Sequence, residues 1–96
     1  MTPLQLSGPL TRDQAPSVLQ TLRQALQEQL AQATGPDPLV VHLQGLNEVD
    51  TSALAVLLDL QRMAAARGRS LRFAQTPSAL LALARLSSVE TLLDFQ

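Results

Sequence analysis

Apolar residues fall along this chain in two rhythms, and each rhythm predicts an element. Leu4 and Leu6 flank Gln5 in a period-two alternation, which predicts a short strand that Ser7-Gly8-Pro9 closes in a turn. From Gln14 onward Val18, Leu19, Leu22, Leu26 and Leu30 recur at three- and four-residue steps with glutamine and arginine between them, the pattern of an amphipathic helix. Asp13 is its expected N-cap and Pro16 suits its first turn. Thr34-Gly35-Pro36-Asp37-Pro38 stops it, because proline cannot continue a helix and glycine favours the left-handed cap.

Leu39 to Leu43 is short, partly β-branched and nearly all apolar, as expected of a central strand covered on both faces. A loop from Gln44 to Val49 follows, then a helix from about Ser52 to Arg67 that ends at Gly68. Ser70 to Ala74 predicts another strand, and Pro77 with Ser78 opens a third helix running through Leu86. Thr91 to Phe95 forms a final strand or a short helical turn. The order is β-α-β-α-β-α. Such alternation demands a mainly parallel sheet, since right-handed crossovers return each helix to a sheet face. Sites in open sheets of this type gather outside the carboxyl ends of the strands. Asp50-Thr51-Ser52 stands there.

Composition narrows the chemistry. The 96 residues suit one compact domain, and the 46% apolar and 16% charged fractions with a formal net charge of -1 describe a chain that folds alone. No basic field attracts phosphate backbones or lipid headgroups, so nucleic acid is not expected as a partner. The chain holds no cysteine, shows no leader pattern and has no apolar run near the roughly 20 residues that span a bilayer, which together point to the cytoplasm. No cofactor is expected. His42 is the only histidine and makes a poor metal site by itself, so it reads as a hydrogen-bonded or partly exposed strand residue. A triad of His42, Asp50 and Ser52 lacks the G-x-S-x-G elbow, and no glycine-rich phosphate loop is present. The chain is expected not to be an enzyme.

Two features single out the second helix. Its N-terminus, at Asp50, Thr51 and Ser52, presents unpaired N–H groups and the positive dipole end, which suit either a capping side chain or a phosphate. Its apolar residues also fall in two stripes, Leu54, Leu57, Leu58 and Ala65 on one side, Val56, Leu60 and Met63 on another. One stripe faces the sheet. The other is covered by a neighbouring helix or left open to a partner, with Met63 supplying adaptability. Asp59 reads as a solvated charge on that side.

The segment Val49-Asp50-Thr51-Ser52-Ala53-Leu54-Ala55 resembles the signature of the STAS family: an aspartate, serine or threonine, two small residues and leucine. Leu6-Ser7-Gly8 is similar to the family's first turn, Leu39 to Leu43 to its central strand, Arg67-Gly68 to the end of its signature helix, and Thr76-Pro77-Ser78 to the start of its last helix. The resemblance covers nearly the whole chain. It implies a single α/β domain, with a mainly parallel or mixed sheet of about four strands and three to four helices. The family's usual first strand has no counterpart here. Ala53 stands where glycine is common, and Pro9 and Thr11 occupy a stretch that is usually acidic.

Two branches of that family give two expectations. In the MlaB-like branch, where threonine at this position is typical, the surface docks on the ATPase subunit of a phospholipid-transporting ABC complex, here an MlaF-like subunit bound in turn to its permease. The protein then sits peripherally at the inner membrane through its partner, and Asp50, Thr51, Ser52, Ala55, Val56, Asp59, Leu60 and Met63 form the contact. In anti-sigma-factor antagonists the residue after the aspartate is phosphorylated by a partner kinase, which makes Thr51 the phosphoacceptor. A small-ligand carrier is a third expectation, outside protein interaction.

Overall fold

The structure is a computed structural model that describes residues 4–32, 39–89, 91–93 and 95. Its elements run β1 (Leu4–Leu10), α1 (Ala15–Gln32), β2 (Leu39–Val49), α2 (Thr51–Ala66), β3 (Leu71–Ala74) and α3 (Ser78–Leu86). The predicted connector from Thr34 to Pro38 lies outside the described residues. β1, β2 and β3 form a parallel sheet in that order. A single parallel bridge joins Phe73 to Phe95, where a final strand or turn was expected. The α/β class, the parallel sheet and the helix count agree with the resemblance.

Strand order explains where the helices lie. When each right-handed crossover steps to the next strand in the same direction, every helix lands on the same side of the sheet. Leu4, Leu6, Leu39, Val41, Leu43, Leu71 and Phe73 are buried on that side. Gln5, Ser7 and Arg72, on the other face, are exposed, and Val40 and His42 are half-buried. This corrects the expectation that β2 is covered on both faces. Polar residues of β1 and β3 flank it and keep that face wet.

Two expected loops are strand instead. β1 runs on through Ser7-Gly8-Pro9 to Leu10, and β2 runs on through Gln44 to Val49. The pairing accommodates this with register shifts between Gln5 and Ser7 and between Gly8 and Pro9, and Gly8 supplies a φ of 74° at the second. Gly45 lets the strands meet, since a Cβ there would lie 2.7 Å from the Ser7 Cβ and 3.0 Å from the Leu6 carbonyl oxygen. The last paired positions are Leu10 and Val49. Thr11 and Asp50 therefore leave the sheet side by side.

The helix ends follow local chemistry. α1 is entered through Thr11 and not Asp13: the Thr11 carbonyl accepts from the Gln14 and Ala15 N–H groups at 3.1 and 2.9 Å. The Gln14 side chain accepts in return from the Thr11 N–H at 3.2 Å and from its hydroxyl, so Thr11-x-x-Gln14 supplies the Gln14 half of a capping box. α2 closes in a Schellman motif, with Gly68 at φ 71° donating to Ala65 and Arg69 donating to Ala64. The core it helps to enclose includes Leu10, Leu26, Leu43, Leu57, Leu60, Phe73 and Leu80. Each such side chain contributes about 1.5 to 3 kcal/mol of transfer free energy.

Candidate functional site

Asp50 follows β2 directly, in extended conformation, and caps α2. Its Oδ1 accepts the Ser52 N–H at 2.8 Å, and its Oδ2 accepts the Arg12 N–H at 3.0 Å. Partial desolvation pushes the carboxyl pKa up. The Arg12 and Ser52 N–H groups, the Ser52 hydroxyl and the Arg12 charge outweigh that and hold it below its ordinary value of 3.8. The helix N-terminus expected to suit an anion thus already holds one, the chain's own carboxylate.

Thr51 is exposed, Ser52 is half-buried, and Ala53, where the family commonly has glycine, is fully buried with its methyl in the core. The two apolar stripes do not separate as expected. Val56 and Leu60 are 2% and 1% exposed, so they do not form an open apolar stripe, and Leu54 and Leu57 are buried as well. Met63 is half-buried against the core. The cause is geometric: α2 packs against α1 on one flank and α3 on the other. At about 100° per residue, Val56, Leu60, Ala53, Ala64, Leu57 and Leu54 fill one continuous arc of roughly 160°. Val56 and Leu60 stand towards one edge of that buried face and Leu54 and Leu57 towards the other, while Leu58 and Ala65 fall outside it.

The surface that remains is a different stripe. Thr51, Ala55 and Arg62 are exposed and Leu58 is half-buried, spaced four, three and four residues apart on the helix side opposite the core. Beside it a groove of about 520 Å³ runs between α1 and α2. Ala15, Pro16 and Leu19 line one wall, Ser52, Ala55 and Asp59 the other, with Val56 also lining it and Arg12 and Arg62 contributing charge. Asp59 is not a free charge: its Oδ2 lies 3.6 Å from an Arg23 guanidinium nitrogen on α1. That oxygen is enclosed although the side chain is about one-third exposed, and it has no hydrogen bond, so the contact is ionic.

The structure thus brings Ser52, Ala55, Val56 and Asp59 together on the groove, with Asp50 hydrogen-bonded to two of its lining residues and Thr51 on the adjoining stripe, and removes Leu60 into the core. Arg12, Pro16, Leu19, Leu58 and Arg62 were missed. Two sequence signals pointed to them: the four-three-four spacing from Thr51, and the Thr11-x-x-Gln14 box that lays the start of α1 beside Asp50.

Other chemistry finds little support in the geometry. His42 pairs in register with Gln5 and Ala74 on the open sheet face. It precedes Asp50 by eight extended residues, roughly 25 Å at about 3.3 Å per residue, so the two cannot share a triad. Among the described residues no cluster of histidine, cysteine and carboxylates could hold a metal, and no helix is long and apolar enough to cross a membrane.

Comparison with curated proteins finds no match. The family profile described as "Mlab, STAS domain" matches residues 2–94. With the parallel sheet, the Asp50-Thr51 junction after its central strand and the adjoining helix in place, the chain belongs to the MlaB-like STAS domain family.

Proposed function

We propose that this chain is a non-catalytic subunit that docks on the ATPase subunit of an Mla-type ABC phospholipid transporter and regulates or stabilises it. Family membership supports a protein-interaction role. The observation that carries the reading is the groove between α1 and α2, with the exposed Thr51, Ala55 and Arg62 stripe along its side. It combines a small, partly apolar depression with a polar and charged rim, the anatomy of a docking surface. The ATPase, MlaF-like in this reading, contacts the groove and connects the chain indirectly to the permease and the membrane.

Co-purification of the ATPase with wild type and with Thr51→Glu tests this. A carboxylate forced into a closed contact costs about 1 to 4 kcal/mol, so binding drops at least severalfold. Unchanged binding would reject the reading.

A second reading, the anti-sigma-factor antagonist with Thr51 as phosphoacceptor, is favoured by one observation, the exposure of Thr51. Its phosphate would approach an N-terminus that Asp50 already caps, and like charges there repel. Phosphorylation would then act by displacing the cap. Mass spectrometry after incubation with the cognate anti-sigma kinase decides it, and an unmodified Thr51 rejects it.

A further inference from the structure

Two carboxylates of the site are engaged with α1 or its entry turn. Asp50 joins the Ser52 N–H on α2 to the Arg12 N–H of the turn entering α1, residues far apart in sequence. Two helical turns further along α2, Asp59 faces Arg23 on α1 at 3.6 Å. The first link joins two residues that line the groove, Arg12 and Ser52, and in the second Asp59 itself lines its wall. We infer that Asp50 and Asp59 are positioning residues: they serve docking by setting the spacing of α1 and α2 at the groove, and their charges are spent on these links to α1 and not on recognising the partner. This rests on the docking function proposed above and assigns these residues an indirect role in it.

The geometry gives each link a distinct chemical signature. Asp50 needs two acceptor oxygens, one for each N–H group. Asparagine has one oxygen and a nitrogen that cannot accept, yet it caps a helix as well as aspartate does. D50N therefore breaks one link while keeping the fold. The Arg23 to Asp59 pair, both side chains being substantially exposed, adds little to stability, so its effect is read in binding and not in unfolding. Its chemistry is symmetric: exchanging the two charges rebuilds the same link with the opposite sign.

Amide hydrogen exchange on the full chain gives the first test. D50N speeds exchange at the Arg12 or the Ser52 amide by about tenfold, and D50A speeds it at both. Unchanged exchange at both amides in both variants would overturn the proposal. The second test is a double-mutant cycle on ATPase affinity with R23D, D59R and the swap R23D/D59R. D59R alone weakens binding by about tenfold, and the swap restores it to within about threefold of wild type. A swap as weak as D59R would mean that Asp59 meets the partner directly, and the proposal falls. If the wild-type chain binds no ATPase, the docking function fails, and the exchange measurement alone then decides whether Asp50 holds the groove.

Discussion

At the residue scale, Asp50 carries the most consequences, because one carboxylate serves a helix cap, a link to the α1 entry turn and the signature motif. Its folded pKa is depressed below the ordinary 3.8, so the deprotonated form favours the fold. That contribution is fully present above the unfolded value and is lost as pH falls through the folded one. Acid unfolding followed by circular dichroism is therefore expected to show a loss of stability below about pH 4 that is shallower in D50N, where nothing titrates at this position. Identical pH profiles for the two proteins would show that the carboxylate's contacts do not favour its charged form. Thr51 illustrates the opposite situation. It is exposed and fills no core position, so a change there is expected to act on partners and not on folding.

At the element scale, β2 shows why local chemistry and pairing disagree. Gln44 to Val49 holds glycine, asparagine and glutamate, all poor strand formers, yet β1 supplies paired partners through to Val49. Gly45 is the close point of that pairing. Alanine there drives its methyl into the Ser7 Cβ and two backbone atoms, which cannot swing aside as a flexible side chain could. Gly45→Ala is expected to cost about 1 to 3 kcal/mol in urea unfolding, and a cost within error of zero would mean that the β1 and β2 backbones separate freely. α2 teaches a related lesson. A helix clasped on both flanks buries a wide arc, and dividing its apolar positions into two stripes splits one face in two.

At the scale of the whole molecule, three parallel strands in sequential order place all helices on one side, and the position of the groove follows. α1 and α2 are neighbours because β1 and β2 are. Their connections begin side by side because the pairing ends at Leu10 and Val49. This architecture separates two kinds of α2 residue by their response to mutation. Leu60→Ala is expected to cost about 2 to 5 kcal/mol of stability, as a core deletion does. Ala55→Arg is expected to leave the unfolding midpoint within about 0.5 kcal/mol of wild type while weakening ATPase binding, because its side chain enters the groove and not the core. Thermal unfolding together with affinity measurements distinguishes the two. If Ala55→Arg bound the ATPase normally, the groove would not be the docking surface.

Much of this was decided locally and was therefore legible from residue order alone. The spacing of Leu22, Leu26 and Leu30, Gly68 after α2 and Pro77 before α3 act within a turn or two of chain, and the structure places each as expected, while at the start of α2 it chooses the Asp50 cap from the alternatives the sequence left open. The signature around Asp50 identified the family for the same reason: it is a short contiguous string. The remainder depends on atoms distant in sequence. The extension of β2 needed β1 beside it, the burial of Val56 and Leu60 needed the sheet and the flanking helices around α2, and the meeting of Arg12 with Asp50 and of Arg23 with Asp59 needed α1 laid against α2. Periodicity records which side of a helix is apolar. How wide an arc the neighbours cover is set by the packing of whole elements, which no single segment encodes.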